Sequence, residues 1–254
     1  MLLRIRIQNF LSFQKETSFD MLTDPKIEGL PHHISKDAPL PLLKQAAIYG
    51  ANGAGKSNLI KAFVFLKNWV TNPNFLEEIE VCDYSFRMTD EDTKPPICLE
   101  VEFLSHQKAY LYKVAISEES IEESLYLSGL GKSADTLIFE RKDSKLLTHS
   151  LLNESAINEL LTANKKASLL VLHQGLGASY NPELKAAYEW FDEQLCIVKY
   201  PSDNLQLAKQ LTSDEKLFDF VEDIIQSCDL DIDAIDREEN SDELLFLQYG
   251  PDDS

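Results

Sequence analysis

Basic residues are scarce in this chain. Twenty-four lysines and arginines stand against 43 aspartates and glutamates, for a formal net charge of −19. So acidic a surface repels a phosphate backbone, which excludes a broad nucleic-acid-covering face and leaves only a local basic patch or contact through a partner. Long apolar runs are also missing. No stretch approaches the roughly 20 apolar residues of a membrane helix, and Arg4 and Arg6 break the first apolar run, so neither a membrane anchor nor a signal peptide is expected. Cys82, Cys98, Cys196 and Cys228 lie far apart and form no C-x-x-C pair, which suits reduced thiols in the cytoplasm. No heptads run for three or four repeats, so a long coiled coil is excluded, and there is no internal repeat. The acidic excess gathers between Asp229 and Ser254, where Arg237 is the one basic residue, as in a solvated face.

What is present is the stretch IYGANGAGKSNLIKAFVFL, from Ile48 to Leu66. Gly50, Gly55, Lys56 and Ser57 fit the phosphate-loop spacing G-x-x-x-x-G-K-[ST]. Glycines let the backbone curl so that successive N–H groups converge on phosphate oxygens. A following helix adds its unpaired N-terminal N–H groups and the positive end of its dipole. In this pattern Lys56 reaches the β- and γ-phosphates and the Ser57 hydroxyl ligates Mg²⁺. The context agrees: Gln45–Tyr49 reads as a short buried strand, and Leu59, Phe63, Leu66 and Val70 mark one face of a helix.

Elsewhere the periodicity changes twice. Leu2–Ile7 reads as a first strand. From about Val81 to Arg141 apolar residues recur every second position: Ile97, Leu99, Val101 and Phe103, then Tyr110, Tyr112, Val114 and Ile116, joined by a hairpin loop at Ser105–Lys108. Thr136–Arg141 is a further strand, and the whole predicts an antiparallel meander with one wet face. From about Leu151 the period is helical. Asn181-Pro182 is a helix start, with Leu184, Tyr188 and Phe191 facing one way. Cys196–Tyr200 reads as a short strand. Thr212–Glu215 is a capping box before the stripe Leu217, Val221, Ile224 and Cys228. Three regions follow: a phosphate-loop core over 1–75, an antiparallel lobe over 76–150, and a helical arm over 151–254 with its acidic end.

Several tempting patterns fail on chemistry. Leu127–Ser133, LSGLGKS, has Tyr126 where a second phosphate loop needs glycine, lies between two strand-like runs, and is read as a turn. Asp229–Asn240 has Ala234 and Asn240 where a calcium loop needs Gly and Glu. His32 and His33 have no spaced third ligand. Arg87 and Arg141 are the only arginines between Lys56 and Asp236, too few for the lid of a small-molecule kinase.

The loop carries more than the minimal pattern. GANGAGKSNL, with Asn52-Gly53 inside it and Asn58-Leu59 after it, resembles the ABC-type heads of the SMC and RecF families. LRIRIQNFLSF resembles their opening strand and its N-F-x-S-F element. The meander, and ASLLVLHQGL and AAYEWFDEQLCIV further on, resemble bacterial defence-associated ATPases of the RloA-like and Septu PtuA-like kind. The resemblance implies an α/β P-loop NTPase of the ABC-head type, with a mixed sheet, an antiparallel β lobe and a helical insertion. It implies an ATPase in anti-phage defence, whose heads pair around two ATP molecules to control a nuclease or toxin, in a cytoplasmic homo-oligomer. Residues carried over are Gly50, Ala51, Asn52, Gly53, Ala54, Gly55, Lys56, Ser57 and Asn58 for ATP, Ser57 for Mg²⁺, Lys56 as the catalytic cation, and Ser12 and Phe13 lining the nucleotide. The Q-loop glutamine has no clear counterpart, Gln107 falling in a hairpin turn. The signature helix, the Walker B carboxylates and the switch histidine are not found by Ser254. Asp252-Asp253 are separated from the apolar run before them by Tyr249-Gly250-Pro251 and are rejected as Walker B. Three expectations follow: further sequence supplies those groups, or another polypeptide does, or the chain binds nucleotide without hydrolysis. The alternatives are a DNA-repair head of the RecF or SMC kind and a non-hydrolysing interaction module.

Overall fold

A computed structural model describes residues 1–23, 31–35, 39–88, 95–176, 181–198, 215–227, 234–237 and 244–247. The chain divides into two compact units, Met1–Ile197 and Val198–Ser254. The first is built on nine strands: β1 (Leu2–Gln8), β2 (Thr17–Asp20), β3 (Ile34–Ser35), β4 (Leu42–Leu43), β5 (Ile97–Ser105), β6 (Lys108–Ile116), β7 (Ile121–Leu127), β8 (Thr136–Lys142) and β9 (Lys145–His149). Seven of them form one antiparallel sheet in the order β2-β1-β5-β6-β7-β8-β9, and β3 pairs with β4 apart from it.

Period-two patterning sets the register. Ile5 lies opposite Phe19 on one side and Val101 on the other. Ile97, Leu99, Val101 and Phe103 share the buried face with Tyr110, Tyr112, Val114 and Ile116. His106 and Gln107 close the β5–β6 hairpin with φ of 47° and 64°, the paired positive values of a two-residue turn that matches strand twist. Gln107 therefore sits where the sequence put it. The other face is wetter and carries a ladder of charges. Arg6 pairs with Glu100 at 2.8 Å, and Lys113 reaches the same carboxylate at 3.7 Å.

The helices α1 (Lys56–Thr71), α2 (Phe75–Glu78), α3 (Glu154–Ala163), α4 (Leu169–His173) and α5 (Pro182–Glu189) supply the rest of one core, and α5 runs into a five-residue π turn, Trp190–Gln194. The apolar stripe of α1 is wider than the sequence suggested: Ala62, Phe65 and Trp69 are buried beside Leu59, Phe63, Leu66 and Val70. Trp190 stacks on Phe103 with ring centroids 4.2 Å apart. In the second unit α6 (Glu215–Ser227) precedes a hairpin of β10 (Ala234–Arg237) and β11 (Leu244–Leu247). The apolar run Leu244–Leu247 is thus a hairpin strand, and Tyr249–Pro251 and Asp252-Asp253 lie outside the described residues. So do Thr212–Asp214 of the capping box, Cys228, and most of the rejected calcium loop.

A fully buried ion pair ties α1 to the sheet. Glu123 of β7 and Arg141 of β8 are cross-strand partners, and Arg141 Nε donates to Glu123 Oε2 at 2.6 Å with both side chains sealed from solvent. Arg141 also donates to the Ala167 carbonyl at 2.7 Å. The Tyr112 and Ser168 hydroxyls donate to Glu123 Oε1 at 2.7 and 2.8 Å, and the Leu169 amide donates to Oε2 at 3.0 Å. Trp69 Nε1 donates to the Tyr112 oxygen at 2.8 Å. Burial, and then the Glu123 charge, push the Tyr112 phenol well above its ordinary range, so it stays a donor. Arg141, one of the two arginines considered for a lid, is therefore a core residue, whereas Arg87 lies exposed near Asp83.

Two local expectations are corrected. Asn181 starts α5 with Pro182 at its first position, but its side chain makes no capping bond; Oδ1 accepts instead from the Leu152 amide at 3.2 Å. The competing partner fixes the entry to the helical region. Cys196–Val198 form no strand but an irregular segment after the π turn, whose Asp192 and Leu195 carbonyls accept from Lys67 of α1 at 3.0 and 2.8 Å; Lys199 and Tyr200 lie outside the described residues. The turn reading of Leu127–Ser133 holds: a Cβ on Gly129 would stand 2.1 Å from the Ser133 carbonyl oxygen. His32 and His33 sit in a short 3₁₀ turn, rings 4.2 Å apart.

His173, at the end of α4, is buried and neither ring nitrogen has a partner among the described residues. Burial holds its pKa below the ordinary histidine value. The folded state therefore binds fewer protons than the unfolded one, and His173 makes stability fall as pH drops through about 6.5. His173→Leu flattens that dependence: between pH 7.5 and 5.5 the urea midpoint of the variant moves less than that of the wild type. An equal shift in both proteins refutes the assignment.

Candidate functional site

The end of β1 is built as a tight platform. Asn9 and Leu11 both adopt positive φ, 52° and 49°. Asparagine tolerates this region, and leucine in it costs on the order of 1–3 kcal/mol, which persists only where the surroundings over-determine the turn. They do so here. Asn9 Nδ2 donates to the Pro95 carbonyl at 2.6 Å, and the Leu11 amide donates to the Tyr84 carbonyl at 2.7 Å. Phe10 is buried against Phe65 of α1, centroids 5.6 Å apart, and bridges back to Phe13. The N-F-x-S-F element is thus a strained turn whose apolar residues are anchored and whose Ser12 faces outward.

Ser12 meets the phosphate loop. Gly53 and Gly55 have φ of 81° and 92°, the left-handed values the motif's glycines supply without strain. A Cβ on Gly55 would stand 2.8 Å from Ser12 Oγ and 3.8 Å from the Phe13 ring, so the close approach also requires glycine there. Asn58 Nδ2 donates to Ser12 Oγ at 2.9 Å. Gly55 caps α1 without any side-chain acceptor, and the helix's first free amides, Lys56 and Ser57, have no acceptor among the described residues. Lys56 Nζ curls over the loop and donates to the Gly50 and Ala51 carbonyls at 2.7 and 2.8 Å. No carboxylate among the described residues pairs with it.

These residues fit a nucleotide phosphate. An ammonium with no competing anion and unpaired amides at a helix start are the chemistry of an anion cradle. Gly50–Ser57 would hold the phosphates, and the exposed Ser57 hydroxyl offers one oxygen to Mg²⁺. Mg²⁺·ATP bound there would supply a polarised γ-phosphate; Lys56 would be placed to spread its charge, and the glycines would keep side chains from blocking the amides. Among the described residues no cluster of three or more His, Cys, Asp or Glu side chains could hold a metal on its own.

The segment before the loop differs from expectation. Gln45–Tyr49 was read as a buried strand, yet it is not paired as a strand and lies exposed from Lys44 through Ala54. Tyr49 is 90% exposed and Ile48 42%. Its composition suits a strand, but the seven-stranded sheet is closed at its ends by β2 and β9, and no described strand runs beside it. Sequence reasoning missed the Trp69–Tyr112–Glu123–Arg141 network. The signal was available: Glu123 and Arg141 each occupy an inward position of an alternating strand, where a charge needs a partner.

Among the described residues no helix is long and apolar enough to cross a membrane. No curated protein matches the chain. A family model described as "AAA domain, putative AbiEii toxin, Type IV TA system" matches residues 46–248, about four-fifths of the 254 residues, beginning at the exposed segment before the phosphate loop. With the loop geometry, this match makes the chain a member of that AAA family, an ATPase of the AAA/ABC class.

Proposed function

We propose that this protein is the nucleotide-binding head of an ATPase in bacterial anti-phage defence, similar in kind to the RloA-like and PtuA-like ATPases. ATP·Mg²⁺ binds at Gly50–Ser57 and drives two heads to pair, and pairing controls a nuclease or toxin partner in the cytoplasm. The observation that carries this reading is the open phosphate cradle, with Lys56 paired to no carboxylate among the described residues, behind an exposed apolar segment. Unpaired backbone at Gln45–Tyr49 supports a site that is completed by another strand and another acidic group, from further sequence or from a second polypeptide. Contact with nucleic acid runs through the partner or a local basic patch, because the chain is strongly acidic overall.

The test is sedimentation of the chain with and without Mg²⁺·ATP. Nucleotide-dependent conversion to twice the monomer mass in the wild type, absent in Lys56→Ala, is the expected result. A chain that binds ATP yet stays monomeric at saturation overturns pairing through this head. That outcome selects the second reading, a nucleotide-binding interaction module without hydrolysis, which is favoured by one observation: no carboxylate among the described residues hydrogen-bonds any part of the loop.

A further inference from the structure

The phosphate loop is weakly attached to the body of the protein. Lys44 through Ala54 are exposed, and the hydrogen bonds of Gly50–Ser57 among the described residues stay within the loop and helix. Among the described residues one hydrogen bond crosses from the start of α1 to the turn after β1: Asn58 Nδ2 to Ser12 Oγ, at 2.9 Å. Ser12 stands on the Asn9–Phe13 platform, whose two left-handed residues are held by Pro95, Tyr84 and the Phe10 packing. The same Ser12 oxygen lies where a Gly55 side chain would begin. A strained turn therefore meets the loop at Gly55, with the Ser12 hydroxyl as its hydrogen-bonding group and the Phe13 ring beside it.

We propose that Asn58 and Ser12 form a positioning latch, which fixes the height of Gly55 and the first amides of α1 above the end of β1 and so sets the affinity of the loop for phosphate. The Asn58 side-chain amide acts through Ser12 and not by touching the nucleotide. Geometry favours this division of labour. Asn58 has its amide committed to Ser12, and its backbone N–H already donates to the Gly55 carbonyl at 2.9 Å. The Lys56 and Ser57 amides are the ones left for the ligand. The proposal rests on the loop being a nucleotide site.

A double-mutant cycle tests it, with fluorescent ATP titrated into wild type, Ser12→Ala, Asn58→Ala and the double variant, and with Ser12→Thr and Lys56→Ala as controls. Each single alanine variant is expected to weaken binding about fivefold, the equivalent of one ordinary hydrogen bond, ~1 kcal/mol. The double variant weakens it no further than either single one, and Ser12→Thr, which keeps the hydroxyl, stays near wild type. Hydrogen exchange without nucleotide gives an independent reading: the Gly53–Ser57 amides exchange faster in both alanine variants, while thermal midpoints are unchanged. Additive losses in the double variant, or exchange that does not change, overturn the latch while the wild type still binds ATP. A wild type that binds no better than Lys56→Ala overturns the nucleotide site and the latch with it.

Discussion

Arg141→Ala and Glu123→Ala each destabilise the first unit by about 3–5 kcal/mol, because either change strands the other charge in a dry core. Both side chains are fully sealed from solvent, so water cannot relieve the cost. Arg141→Ala also frees the Ala167 carbonyl, and Glu123→Ala unties Tyr112, Ser168 and the Leu169 amide at the start of α4. At this chain length such losses correspond to a melting point lower by roughly 10 °C. Denaturant unfolding followed by fluorescence measures it directly, since Trp69 hydrogen-bonds into the network and its ring lies 5.9 Å from the guanidinium. The double variant Glu123→Leu/Arg141→Met separates charge from packing. It recovers the part due to stranding one charge, while the loss from Tyr112, Ser168, the Leu169 amide and the Ala167 carbonyl left without their partners remains. A single variant that loses under 1 kcal/mol shows that the pair is not buried as described.

Lys56→Ala raises the dissociation constant for Mg²⁺·ATP by about 10- to 100-fold, the range for losing a charged hydrogen-bond donor to phosphate, ~1.5–3 kcal/mol. The fold is unaffected. Lys56 touches only the Gly50 and Ala51 carbonyls of its own loop, so the melting point without nucleotide stays at the wild-type value. Thermal shift with ligand separates the two effects. At 100 times the wild-type dissociation constant, ATP stabilises the wild type by about 2.7 kcal/mol, and a variant 100-fold weaker gains only ~0.4 kcal/mol. Equal shifts in both proteins show that the loop is not where ATP binds. Titration calorimetry of the same pair gives the affinities themselves.

Much of this was legible in the sequence because it is set by local chemistry. Gly50, Gly55, Lys56 and Ser57 state the loop by spacing alone, and the positive φ at Gly53 and Gly55 is what glycine at those positions permits. Alternation in Ile97–Phe103 and Tyr110–Ile116 fixed strand, face and hairpin together, since period two leaves one register that buries both rows. The α1 stripe followed from its 3.6-residue period. Gln45–Tyr49 shows where such reading fails: five residues with the composition of a buried strand are exposed, because burial is a property of neighbours and not of the segment. Cys196–Val198 fail likewise: the chain leaves the π turn there, held just before them by Lys67, 128 residues away from Leu195, whose carbonyl it takes. Long-range pairing also decided that Arg141 is a core residue, that Asn181 caps nothing with its side chain, and that Ser12 meets Gly55. The sequence by itself determined which chemistry this protein carries, because a phosphate loop is written in contiguous residues. Only the tertiary structure decided what holds that loop in place, because the turn at Asn9–Phe13 and the helix start at Asn58 are far apart in the chain and are joined, among the described residues, by a single hydrogen bond.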